Sequence, residues 1–190
     1  MRITGGTHRS RALVAPKGQA TRPTSDRVRE ALFSMLVSDG LFSGDASGDA
    51  SGDGPRVLDL YAGSGALGFE ALSRGASRVV FVEMARPALT AIRENADALA
   101  MKVEILALKV DRALVKEDLG MFELVLLDPP YADVKEKGFV AILSGAAKHL
   151  AEDGVLVLEH ASDDEPVIAE LTVDRRRRHG DTTLSLFRRT

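Results

Sequence analysis

Apolar positions recur along this chain in two rhythms. Val28, Ala31, Leu32, Met35 and Leu36 fall at i, i+3, i+4, i+7 and i+8, the spacing of one helical stripe. Thr24 or Ser25 can cap that helix, and Asp26 in its first turn suits the helix dipole. Ahead of it, Arg2–Thr4 and Arg11–Ala15 read as two short extended pieces. From Arg56 onward, buried-strand runs alternate with helical stretches. The strands are expected at Arg56–Tyr61, Arg78–Glu83, Val103–Leu108, Phe122–Asp128 and Gly154–Glu159. The helices are expected at Ala66–Arg74, ended by Gly75, from Pro87 to about Leu99, and at Glu136–Leu150. Such alternation predicts a parallel sheet covered on both faces.

The end of the chain breaks the pattern. Leu171–Arg175 and Thr182–Phe187 both read as strands, with only Arg176–Asp181 between them. A parallel crossover needs a dozen or more residues, so these two form an antiparallel hairpin. Seven strands, mostly parallel and closed by such a hairpin, predict an α/β fold of the methyltransferase variant rather than the usual dinucleotide-binding one. Between the first helix and the first buried strand, Ser43–Gly54 repeats the unit SGDA nearly three times. It has no side chain able to repay ordering by burial, and reads as a flexible linker. The organisation expected is an N-terminal hairpin and helix over residues 1–42, the linker over 43–54, and the main domain over 55–190.

Charge adds a second layer. The formal net charge is −3, but both ends are basic and the middle is acidic, and Arg175 to Arg178 form an unbroken run. Phosphate contacts come chiefly from Lys and Arg, so the ends could grip a polyanion, although an arginine run can equally be a solvated turn. The chain has no cysteine, which removes disulfides and thiolate metal sites. His8, His149, His160 and His179 are scattered, so no metal cluster is expected. No apolar run has bilayer-spanning length and the first residues lack a signal core, so a cytoplasmic protein without membrane attachment is expected.

The first buried strand runs into Asp59-Leu60-Tyr61-Ala62-Gly63-Ser64-Gly65-Ala66-Leu67-Gly68, a GxGxxG turn opening a helix. Glycine there lets backbone N–H groups approach a ligand closely. Glu83 ends the next strand, where a carboxylate can accept from both ribose hydroxyls of a nucleotide-like cofactor. This context suits NAD and S-adenosylmethionine alike. Asp59, at the strand's carboxyl end, favours the second, because its carboxylate could face the methionine ammonium, which NAD lacks. It could equally cap the turn. Asp111 could accept from an adenine amino group or cap the segment that follows it.

Asp128-Pro129-Pro130-Tyr131 ends the most apolar strand. Two prolines fix two φ angles and remove two donors, which leaves a rigid, acceptor-rich loop. Asp128 and the Pro129 carbonyl can hold the two hydrogens of an NH₂ group and aim its lone pair at a methyl donor. Tyr131 can stack on the base that carries it. The plain alternative is a proline turn with Tyr131 filling a surface gap.

The chain resembles the RsmD family of bacterial 16S rRNA guanine-N2 methyltransferases. The likeness is carried by Arg2-Ile3-Thr4-Gly5-Gly6, by Arg22-Pro23-Thr24-Ser25-Asp26-Arg27-Val28-Arg29-Glu30-Ala31-Leu32-Phe33, and by the glycine loop. Glu70-Ala71-Leu72-Ser73-Arg74-Gly75-Ala76, the Asp128–Tyr131 loop and Gly180-Asp181-Thr182 complete it. The SGDA repeat departs from the family pattern, and His179 stands where an aromatic residue is frequent. The resemblance implies a Rossmann-like S-adenosylmethionine-dependent methyltransferase with a small N-terminal extension; a monomer is expected. The substrate it implies is 16S rRNA in the small ribosomal subunit or its assembly intermediate. The cofactor would be held by Arg22, Thr24, Asp59, Tyr61, Ala62, Gly63, Ser64, Gly65, Glu83 and Asp111. Arg22 and Thr24, with Pro23, would approach its methionine end, and Asp128, Pro129, Pro130 and Tyr131 would be catalytic. An adenine-N6 or cytosine-N4 DNA methyltransferase, an NAD enzyme and a non-catalytic rRNA-binding assembly factor are the alternatives.

Overall fold

The computed structural model describes residues 1–16, 25–42, 54–136 and 138–189. In chain order the elements are α1 (Asp26–Ser38), β1 (Arg56–Leu60), α2 (Ala66–Ser73), β2 (Arg78–Val82), α3 (Arg86–Leu99), β3 (Glu104–Leu106) and α4 (Val110–Ala113). There follow β4 (Phe122–Leu127), α5 (Tyr131–Val134), α6 (Phe139–Lys148), β5 (Leu150–Ala161), β6 (Leu171–His179) and β7 (Thr182–Arg189). Among these residues one seven-stranded sheet forms, in the order β3-β2-β1-β4-β5-β7-β6. β1 to β5 are parallel and β7 pairs antiparallel to both β5 and β6. This is the Rossmann-like methyltransferase arrangement that the alternation and the terminal hairpin predict. The SGDA repeat up to Asp53 lies outside the described residues.

Each face of the sheet carries its own apolar core. On one face Val57, Phe81, Leu124, Leu126, Leu184 and Leu186 pack with Leu32 and Phe33 of α1, Phe69 of α2 and Ile92 of α3. On the other, Leu58, Leu60, Val125, Leu127 and Phe187 pack with Val110 of α4 and with Phe139 and Leu143 of α6. The alternation of side chains along a strand divides its residues between the two. Ile3 and Leu13 join the first core, so the N-terminal segment shares the sheet's apolar interior.

Where the elements differ from their sequence expectation, the cause is local. β3 is shorter than Val103–Leu108 because it is an edge strand, paired only with β2. α6 starts at Phe139 rather than Glu136, just after Gly138, a poor helix former. The two N-terminal pieces pair antiparallel at the bridge Arg2↔Ala12, with the Ile3, Ser10 and Leu13 N–H groups on the carbonyls of Arg11, Ile3 and Met1, and are too short for a regular ladder. The turn between them is instead drawn onto α2, with the Thr7 N–H on the Ser73 carbonyl (2.8 Å) and the His8 N–H on Ser73 Oγ (2.9 Å). β6 continues to His179 instead of stopping at Arg175. Its arginines show no apolar alternation, and pairing with β7 is what extends it. α4 and α5 are four residues each, too short to show a helical period. Among the described residues no helix is long and apolar enough to cross a membrane.

Candidate active site

The strand order reverses between β1 and β4: from β1 the chain builds outward to β2 and β3, then returns to add β4 on the other side. In open α/β sheets, ligands bind beyond the carboxyl ends of the strands at such a switch point. The register aligns these ends, with Leu60 beside Val82 on one side and Leu127 on the other. Tyr61, Glu83 and Asp128 each follow one of those residues, so the glycine loop, the second-strand acid and the Asp128–Tyr131 loop converge on one crevice.

The glycine loop is shaped for close approach. Gly63 has φ +57°, and a Cβ there would meet only the Tyr61 carbonyl oxygen, at 3.9 Å. The space over it is open. Gly68 has a different role: a Cβ there would lie 2.3 Å from the Phe81 ring, so its absence lets α2 settle on β2. Asn95 of α3, a buried side chain that composition and motif do not single out, ties this loop to the N-terminal segment. Its Nδ2 donates to the Ser64 carbonyl (3.0 Å) and to the Val14 carbonyl (3.1 Å), and its Oδ1 accepts from the Val14 N–H (2.7 Å).

Glu83 locks the loop to the end of β2. Its Oε2 accepts from the Gly63 N–H (2.9 Å), and its Oε1 from the N–H groups of Met84 and Ala85, both at 2.7 Å. The carboxylate is thus oriented beside Gly63 and only half-buried, an arrangement that fits a ribose diol. Tyr61 adopts φ +60°, a left-handed conformation uncommon outside glycine. Burial pushes its hydroxyl up to about 12, reinforced by the charges of Asp133, Asp111 and Glu136, so it stays a hydrogen-bond donor at neutral pH. Asp111 is exposed and its carboxylate accepts from the Arg112 N–H (2.8 Å), at the start of α4.

Asp59 takes the turn-capping role that its position allows beside a cofactor contact. It is 1% exposed, and its Oδ2 accepts from the Gly68 N–H (2.9 Å). It acts as the turn's internal acceptor because Gly68 is the third residue of α2, in the first turn where N–H groups lack an intrahelical partner. Burial raises its carboxyl well above the ordinary range. The Gly68 N–H opposes that rise, and the charges of Asp128 and Glu83 add to it. A carboxyl raised on folding favours the protonated folded state, so its contribution to stability is lost as pH climbs from the ordinary carboxylate range through the raised value. Asp59→Asn keeps an acceptor for Gly68 and removes the titration. Its melting temperature should gain on that of the parent as pH rises over this interval, then level off. A constant difference across the pH range would contradict the assignment.

The Asp128–Tyr131 loop leads directly into α5. Pro130 caps that turn with its carbonyl on the Asp133 N–H (2.9 Å), and among the described residues no turn hydrogen bond uses the Pro129 carbonyl. Pro129 is buried, Asp128 and Tyr131 are half-buried and Pro130 is exposed. The Tyr131 hydroxyl hydrogen-bonds Oγ1 of buried Thr182, at the start of β7 (2.5 Å). Thr182 therefore positions Tyr131, a partnership across the sheet that no motif spacing discloses. Thr182→Val should cost the substrate-saturated rate about fivefold, the worth of one hydrogen bond, with Thr182→Ser restoring it. Equal rates for the valine and serine variants would show that Tyr131 is held by other contacts. Arg22 and Thr24 lie outside the described residues.

His149 and His160 are structural. Both ring nitrogens of His149 meet carbonyls, of Gly120 and Leu114, and those of His160 meet Ala161 O and Ser185 Oγ. A depression of about 400 Å³ opens at the opposite, amino ends of the strands, beside Leu41, Pro55, Arg56 and Glu123. It contains none of the residues that converge at the switch point.

The family described as Conserved hypothetical protein 95 matches residues 1–188. The Bacillus subtilis protein YlbH is 33% identical, with 100% of this chain and 99% of that protein covered. A Haemophilus influenzae protein named ribosomal RNA small subunit methyltransferase D is 30% identical, with coverage of 88% and 82%. The solved structure of the Escherichia coli protein yhhF superposes with a TM-score of 0.80 at 28% identity, covering 100% of this chain and 97% of that one.

Proposed function

The chain belongs to the RsmD family, and from that premise we propose that it methylates the exocyclic N2 amino group of a guanine in 16S rRNA. The broader activity is S-adenosylmethionine-dependent rRNA methylation; the target atom is our reading, and it rests on the chemistry of the Asp128–Tyr131 loop. The observation that carries it is the convergence of that loop and the glycine loop at one switch point. We take the small ribosomal subunit or its assembly intermediate as the substrate, and a monomer as the active form.

Bound S-adenosylmethionine supplies an electrophilic methyl group. Glu83 accepts from the ribose hydroxyls, and the open space over Gly63 admits the cofactor to the backbone. Tyr61, Ala62, Ser64, Gly65 and Asp111 would line its course, and the family resemblance assigns Arg22 and Thr24, outside the described residues, to its methionine end. Asp59 supports the loop from beneath through Gly68. Asp128 and the Pro129 carbonyl accept the two amino hydrogens, which favours a pyramidal nitrogen with its lone pair aimed along the transfer axis. An aromatic amine is a weak nucleophile, so this orientation supplies much of the rate. Methylation releases one amino proton, and the Asp128 carboxylate takes it. Tyr131, steadied by Thr182, stacks on a base that has left its helix. Nucleoside analysis of RNA labelled by the enzyme tests the target atom. The label should appear as N2-methylguanosine, and label in N6-methyladenosine or N4-methylcytidine would overturn that choice.

A further inference from the structure

From the β6–β7 hairpin we infer that Arg177 and Arg178 form a clamp for the RNA phosphate backbone beside the catalytic loop. The inference rests on the rRNA reading above and deepens it by naming a surface. Arg177 faces Leu184 across β6 and β7, and Leu184 faces Glu159 of β5. Leu158 pairs with Leu127, so Glu159 lies level with Asp128. Arg177 and Asp128 thus occupy one row across the sheet, three strand spacings or about 14 Å apart. One step nearer the turn, Arg178 faces Thr183, and His179 faces the Thr182 that holds Tyr131.

In the half of the hairpin distant from the loop, carboxylates neutralise Arg175 and Arg188, while exposed Arg189 donates to the Leu150 and Ala147 carbonyls. Arg175 contacts Asp39 at 3.3 Å, and Arg188 lies 3.8 Å from Asp39 and 3.7 Å from Asp174. Arg176 is 3.9 Å from Glu165. Arg177 and Arg178 have no carboxylate partner among the described residues. Their guanidinium groups meet only neighbouring carbonyls, Arg177 on Arg176 O (3.2 Å) and Arg178 on Gly180 O (3.0 Å), and both side chains are exposed. Because they alternate along an edge strand, one guanidinium projects on each face of the sheet. His179 beside them has Nε2 buried with no hydrogen-bond partner among the described residues. Arg177 and Arg178 are thus two adjacent unneutralised charges at the end of the hairpin where an unpaired nucleotide on Tyr131 would lead its flanking phosphates. Arginine suits that task, since its planar fork pairs with phosphate oxygens.

Arginines on an edge strand also deter pairing with another chain, a role independent of RNA. The double variant R177A/R178A separates the two. Its affinity for 16S rRNA should fall roughly tenfold near 0.1 M salt, and the slope of log affinity against log salt should flatten by about 1.5. KM for the rRNA substrate should rise with kcat, cofactor affinity and melting temperature unchanged, and R177K/R178K should recover part of the loss. R93A/K148A, which removes the same charge elsewhere, should bind as the parent does. Parental RNA affinity and salt slope in R177A/R178A would overturn the clamp. So would an equal loss in R93A/K148A, or self-association of R177A/R178A in light scattering as its only defect. A parent enzyme that neither binds nor methylates rRNA would instead overturn the functional reading beneath it.

Discussion

Asp128→Ala is expected to lower methyl transfer at least a thousandfold, ~4 kcal/mol of transition-state stabilisation, while cofactor affinity stays within about twofold of the parent. Asp128 belongs to the β4 side of the crevice, whereas the glycine loop and Glu83 belong to the β1–β2 side. The variant thus removes the acceptor for the substrate amino group and leaves the cofactor's own contacts. It also leaves the fold, because Asp128 is only half-buried and stands at the end of its strand. Asp128→Asn retains one acceptor oxygen but not the charge, and should lie between the two. Stopped-time transfer assays beside calorimetric titration of S-adenosylmethionine read both quantities. Substantial turnover in Asp128→Ala would remove this loop from the chemistry.

The second large effect is on stability. Arg29 and Glu70 are both fully buried, and they form the hub that joins α1 and the N-terminal segment to α2. Arg29 Nε lies 3.3 Å from Glu70 Oε2, and its Nη2 lies 2.9 Å from Asp26 Oδ1 and also donates to the Arg2 carbonyl. Glu70 further accepts from the Thr4 N–H (2.8 Å), Thr4 Oγ1 (2.7 Å) and Arg74 Nε (2.8 Å). Every charge in this cluster is paired, so removing Arg29 takes one cation from fully buried Glu70, which keeps Arg74 and Thr4, and leaves half-exposed Asp26 to water. Arg29→Ala should cost about 3–5 kcal/mol. For a domain of this size that lowers the melting temperature by about 10 °C. Arg29→Lys keeps the charge but not the fork, and should fall between. A melting temperature for Arg29→Ala within 2 °C of the parent, as an order-of-magnitude bound, would contradict the role given to the cluster.

The glycine loop, the Asp128–Tyr131 loop and the terminal hairpin are all legible in the chain. Each uses residues whose backbone chemistry is special, or a spacing that permits one connection only. Gly63 and Gly68 show it well: one leaves space over the loop, the other admits the Phe81 ring, and the sequence pattern marks both. What is not legible are partnerships between residues far apart in the chain. Arg29 meets Glu70 at a separation of 41 residues, Asn95 meets Ser64 at 31 and Tyr131 meets Thr182 at 51. Nothing in periodicity distinguishes Asn95 on α3 from a solvated polar residue until the N-terminal segment packs against it. Asp59 illustrates the same limit. Its position at the end of β1 is readable, but the direction of its carboxylate depends on where α2 carries the Gly68 N–H. The arginine run from 175 to 178 is conspicuous as charge, yet only the register separates Arg175, spent on Asp39, from Arg177 and Arg178.

The most direct test of the central claim is transfer of labelled methyl from S-adenosylmethionine to small ribosomal subunits that lack their guanine-N2 methylation, with naked 16S rRNA and duplex DNA beside them. The account predicts label in the rRNA of the subunits, recovered as N2-methylguanosine, and none in the duplex. Label in DNA, or no transfer to any substrate by a protein that binds the cofactor tightly, would contradict it.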